Sequence, residues 1–203
     1  MALRYRSLSP LSRRRFIIGS AVTALGSTSS AGWGHNDAGI LSPPLPPPSV
    51  ALTLHDNSST TLQTVLSGRV SAVQLMFTSC QATCPIQGAL FASAAKKLGE
   101  RLKPAQLISI SIDPGQDTPA ALRDWLKRFG ASPRWRAARP DKQQLDALVT
   151  FLKSKNPAPD PHTAQVYFFN RKGELVMRSV DFPPAAEVVR VLESMVWLPP
   201  PVV

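Results

Sequence analysis

The chain holds two cysteines, Cys80 and Cys84, in the stretch Cys80-Gln81-Ala82-Thr83-Cys84-Pro85. At that spacing the two sulfurs can join in a disulfide or hold one soft metal ion between them. A stabilising staple is the weaker explanation. Closing so short a loop contributes only about 2 kcal/mol by chain entropy, against about 5 kcal/mol for a hundred-residue loop. The flanking sequence favours chemistry instead. The apolar run at 70–77 reads as a buried strand, and the amphipathic run at 86–102 as a helix. Pro85 suits the first helical position, where its missing N–H has no partner to lose. Cys84 then falls at the N-cap, where unpaired amides and the helix dipole favour a thiolate. Cys80 lies in the connecting turn and is expected to be the more exposed thiol, placed to attack a disulfide. Strand, cysteine pair and helix start make a redox or soft-metal arrangement.

The rest of the chain must build a scaffold around that turn. A strand at 50–54 and a short element at 61–66 precede the strand at 70–77, whose unbroken apolar character indicates cover on both faces. A second central strand is expected at 106–112. It is followed by the turn Asp113-Pro114-Gly115-Gln116-Asp117 and a helix to about residue 129, with Thr118 as cap and Pro119 in its first position. Residues 134–138 read as a short edge strand and 141–153 as a helix. A proline-stiffened loop at 156–161 leads to a hairpin of 165–169 and 174–179, and a helix at 184–195 closes the fold. Asp113, Asp117 and Thr118 read as turn and cap residues, and Asp113, which follows a central strand, is expected near the site. Met76 and Met177 read as core fillers. This order defines an α/β domain of thioredoxin-like type, a central mixed β-sheet flanked by helices with its site at the carboxyl end of a central strand.

The 203 residues are 43% apolar and carry a net charge of +10. One domain with a sizeable core is expected. Five of the basic residues and no acid lie in 1–31, so the remainder carries +5. Lys96, Lys97, Arg101 and Lys103 form the densest remaining group and read as a solvated face. No motif for reading a nucleic-acid groove is present, and no nucleic-acid partner is expected. Ser12-Arg13-Arg14-Arg15-Phe16-Ile17-Ile18, the apolar stretch at 16–25 and the small residues up to Ala31 resemble a twin-arginine export signal. An apolar stretch of about ten residues is too short to span a bilayer, which takes roughly twenty. The expected organisation is a signal segment at 1–31, a Pro/Gly/Ser-rich linker at 32–49 and one folded domain at 50–198. The expected location is the periplasm, with membrane association only if the signal segment stays attached.

Several of these residues together resemble the SCO/SenC family. They are Phe77-Thr78-Ser79-Cys80 with Cys84-Pro85, Ser111-Ile112-Asp113-Pro114 with Asp117-Thr118-Pro119, and Asp160-Pro161-His162-Thr163 ahead of a strand and final helix. The resemblance covers about 50–195. It departs from the family pattern at Gln81, Ala82 and Pro161. It implies a thioredoxin-like fold and a copper site of Cys80, Cys84 and His162. The implied function is delivery of copper to the copper-site subunit of cytochrome c oxidase or to another copper or thiol protein. Thiolates suit Cu(I), and imidazole suits copper in either oxidation state. Structural zinc takes four protein ligands, and only His35 and His55 remain as nitrogen donors. Because some members of the family reduce a partner's cysteines, a thiol–disulfide oxidoreductase built on Cys80 and Cys84 stands as the alternative function.

Overall fold

The structure is a computed structural model and describes residues 38–99, 102–152 and 164–197. The expected signal segment, the first part of the linker, His35, Arg101, the loop at 156–161 with His162, and the tail beyond residue 197 lie outside the described residues. Within them the chain runs β1 (Gly39–Leu45), β2 (Ala51–Leu54), β3 (Ser59–Thr61), α1 (Leu62–Leu66), β4 (Val70–Met76), α2 (Thr83–Lys97), β5 (Ala105–Ser111) and α3 (Pro119–Arg128). It continues through β6 (Trp135–Pro140), α4 (Leu145–Leu152), β7 (Val166–Phe169), β8 (Leu175–Arg178) and α5 (Ala185–Trp197). The strands form one sheet in the order β1-β8-β7-β4-β5-β6-β2-β3. β4 pairs in parallel with β5, and β5 with β6; every other neighbouring pair is antiparallel.

β4 and β5 are buried at every position, which explains why neither shows a polar face in the sequence. Val70, Ala72 and Met76 of β4 face a core that includes Phe91 and Ala94 of α2, Leu122 and Trp125 of α3, and Val188 and Leu192 of α5. Val73 and Leu75 face the second core, with Leu62 and Val65 of α1 and Leu148 and Leu152 of α4. Several polar side chains of this interior are tied into hydrogen bonds. Ser109 Oγ receives Gln74 Nε2 at 2.8 Å and Trp135 Nε1 at 2.9 Å. Across the sheet, Gln106 Nε2 donates to Val65 O and Ser71 Oγ, both at 2.8 Å.

Three expectations are corrected. The proline-rich segment at 32–49 includes β1, which pairs with β8 at the end of the sheet, where proline's lost N–H breaks no ladder. Residues 135–140 are an interior strand, not an edge: β6 lies between β5 and β2. Its arginines are accommodated by hydrogen bonds, Arg136 Nη2 to Gln106 Oε1 at 2.7 Å and Arg139 Nη1 to Pro114 O at 2.7 Å. The helix expected at 86–102 is α2, beginning at Thr83 and ending at Lys97. The hairpin of β7 and β8, the Thr118 cap with Pro119 behind it, and the buried face of α5 match their expected positions.

Candidate functional site

β4 delivers the chain to the cysteine turn at Met76, whose carbonyl accepts Ile112 N–H at 2.9 Å and so continues the pairing with β5. Cys80 N–H donates to Phe77 O at 3.2 Å and closes the turn. Ser79, Gln81 and Ala82 are exposed, and α2 follows directly.

The helix start differs from expectation in a way that changes the role of both sulfurs. Ala82, not Cys84, is the N-cap, and its side chain makes no cap hydrogen bond. Cys84 lies inside the first turn, fully buried, and its N–H donates to Cys80 Sγ at 3.3 Å. That N–H is one of the unpaired donors every helix start presents. The Cys80 sulfur takes the place of the missing cap, so it is Cys80 that sits on the positive end of the helix dipole. Cys80 is 8% exposed and Cys84 0%; Cys80 is the more accessible thiol, as expected, though both are buried. Neither is in a disulfide.

The turn is held from behind by Asp117. Thr78 N–H donates to both of its carboxylate oxygens at 3.1 Å, Thr78 Oγ1 donates at 2.5 Å, and Ser111 Oγ donates at 2.6 Å. Asp117 is 1% exposed. A carboxylate at this depth is sustained by the donors around it. Asp113, half-buried, acts at one remove: its N–H donates to Ser111 Oγ at 3.0 Å. Asp117 rather than Asp113 is therefore the acid that reaches the cysteine turn. The sequence order Ser-Ile-Asp-Pro after a strand shows a turn there; only the fold reveals that Asp117 bridges to Thr78, 39 positions away.

The other candidates fall as follows. The antiparallel register of β4 and β7 sets Gln74 against Val166, so β7 begins beside the end of β4 that leads into the turn. Ala164 is fastened there, its carbonyl accepting Phe182 N–H at 3.1 Å, and Val166 N–H donates to Ser179 Oγ at 2.7 Å. His162 lies outside the described residues. His55 is half-buried beside Ala137 in the turn after β2, three strand spacings from β4, so it lies by a different part of the sheet. Met76 and Met177 pack in the core. Among the described residues no group of three His, Cys, Asp or Glu side chains stands ready for a metal, and no helix is long and apolar enough to cross a membrane. What the described residues supply is a pair of soft sulfur donors where the turn meets α2, a set suited to Cu(I).

A mixed sheet covered on both faces, with a dithiol at the junction of a central strand and a helix, defines a thioredoxin-like domain. The family model for SCO1/SenC matches residues 51–197, and the chain belongs to that family. A SCO2-like protein of Rickettsia conorii is 31% identical over 88 residues, 43% of this chain and 42% of the relative. That match spans less than half the length of the curated relative. Yeast Sco1 with copper bound superposes with a TM-score of 0.66 at 18% identity, over 78% of this chain and 92% of the other. BsSco, in which a disulfide switch was identified and which is a member of the Sco family of cytochrome c oxidase assembly proteins, also gives a TM-score of 0.66. Its identity is 20%, over 79% of this chain and 99% of BsSco.

Proposed function

We propose that the protein is a periplasmic copper chaperone. It holds copper as cargo through Cys80, Cys84 and His162 and passes it to the copper-site subunit of cytochrome c oxidase. The observation that carries this reading is the sulfur pair itself. Two cysteines outside any disulfide flank the start of α2, and the amide of Cys84 fixes the Cys80 sulfur over it. Family membership and the copper held by yeast Sco1 support the same cargo. Export by the twin-arginine route follows from Arg13, Arg14 and the apolar stretch behind them. It is tested by replacing both arginines with lysine, which should leave the precursor in the cytoplasm.

A second reading is favoured by the unequal exposure of the thiols. In a thiol–disulfide oxidoreductase the Cys80 thiolate attacks a partner disulfide, forming a mixed disulfide and releasing one partner thiolate. Cys84 then attacks the Cys80 sulfur, forming the Cys80–Cys84 disulfide and releasing the second. The partner gains the two electrons that this chain loses. His162→Ala separates the readings. A copper carrier should lose most Cu(II) binding and oxidase assembly while its dithiol still exchanges. An oxidoreductase should be unaffected by that change and abolished by Cys80→Ser.

A further inference from the structure

Gln87 stands one turn behind Cys84 in α2. It is 1% exposed, and neither its Nε2 nor its Oε1 has a hydrogen-bond partner. Leaving a buried amide unpaired is unfavourable, and packing alone does not call for one. The buried stripe of α2 runs Cys84, Gln87, Gly88, Phe91 and Ala94, and its core neighbours are apolar and aromatic. An apolar residue would fill the same space at no such cost. Residues three apart share a helix face, and long helical side chains lean toward the N-terminus. That geometry directs a side chain at position 87 toward the turn that carries Cys84.

We propose that Gln87 is a positioning residue for the Cys84 sulfur. Its Nε2–H donates to that sulfur when the sulfur carries negative charge, as a thiolate or in a copper–thiolate bond. A disulfide sulfur is a poor acceptor, so the same donor favours the reduced state, empty or loaded, over the Cys80–Cys84 disulfide. The inference rests on Cys84 being a copper ligand, as proposed above. The competing explanation is a buried water. Gln74 Oε1 and Trp125 Nε1 are also unpaired in the core on this face of the sheet, and water satisfying Gln87 would leave the sulfur untouched.

The test uses the full chain, anaerobic and reduced, as wild type, Gln87→Leu and Gln87→Met. Cu(I) affinity is measured by competition with a chelator. The thiol–disulfide balance is measured against glutathione, in which protein dithiol and oxidised glutathione give protein disulfide and two reduced glutathiones. Both variants should bind Cu(I) about tenfold more weakly, the size of a lost hydrogen bond to a charged group. Both should shift toward the disulfide in the glutathione arm, with melting temperatures equal to wild type or higher. Unchanged Cu(I) affinity and an unchanged glutathione balance in both variants would overturn the proposal, whatever happens to stability. Should the wild type bind no Cu(I), the copper reading fails and the glutathione arm alone decides the role of Gln87.

Discussion

Asp117→Ala removes the acceptor that ties the cysteine turn to the loop after β5, and its cost can be worked from the partners it loses. Three donors converge on the carboxylate: Thr78 N–H, Thr78 Oγ1 and Ser111 Oγ. The two hydroxyls can rotate toward other acceptors, so each loses about 1 kcal/mol. The Thr78 amide cannot turn. It bears the full penalty of an unsatisfied group, about 2 kcal/mol. The variant should therefore be destabilised by roughly 4 kcal/mol, a fall in melting temperature of about 8–16 °C for a domain of this size. Asp117→Asn keeps one oxygen for Thr78 and should lose only about 1–2 kcal/mol, the charge-assisted share. Native-state hydrogen exchange reads the local effect directly. The Thr78 amide should be protected in the wild type and exchange fast in Asp117→Ala, while amides in the middle of β5 fall only as far as global stability does. A Thr78 amide equally protected in both proteins would refute the clamp.

Two further changes probe how the core supports the turn. Ser109→Ala removes the shared acceptor of Gln74 Nε2 and Trp135 Nε1 and should lower stability by about 2–4 kcal/mol in denaturant melts. Gly88→Ala adds a methyl that would come within 2.5 Å of the Phe129 ring, a ring packed on Trp125 and Trp135. The strain, about 1–3 kcal/mol, should outweigh a helix-propensity gain of at most about 1 kcal/mol, giving a lower melting temperature.

Much of this architecture was legible in the residues. The apolar runs of β4 and β5 announced two central strands covered on both faces, and Thr118-Pro119 announced the start of α3. The cysteine spacing announced the site. Composition misled where tertiary pairing prevailed. Pro43 and Pro44 belong to β1, and β6, with two arginines, lies inside the sheet because backbone carbonyls and Gln106 accept their N–H groups. Proline chemistry placed Cys84 at the N-cap, but Pro85 is the third residue of α2, not the first. No propensity rule provides for a thiol from the preceding turn standing in for a cap. Asp117 and Gln87 were missed as partners of the site for a related reason. Each matters through what the fold sets beside it: a turn 39 positions away for one, a buried helix face without a hydrogen-bond partner for the other.

The central claim is that the paired sulfurs hold copper as cargo, and an anaerobic Cu(I) titration in competition with a chelator tests it most directly. The reduced chain should bind one Cu(I), and Cys80→Ser, Cys84→Ser and the Cys80–Cys84 disulfide form should each lose it, since disulfide sulfur and hydroxyl oxygen are far poorer ligands for soft Cu(I) than thiolate. Equal copper retention by the disulfide form, or by either serine variant, would contradict the account.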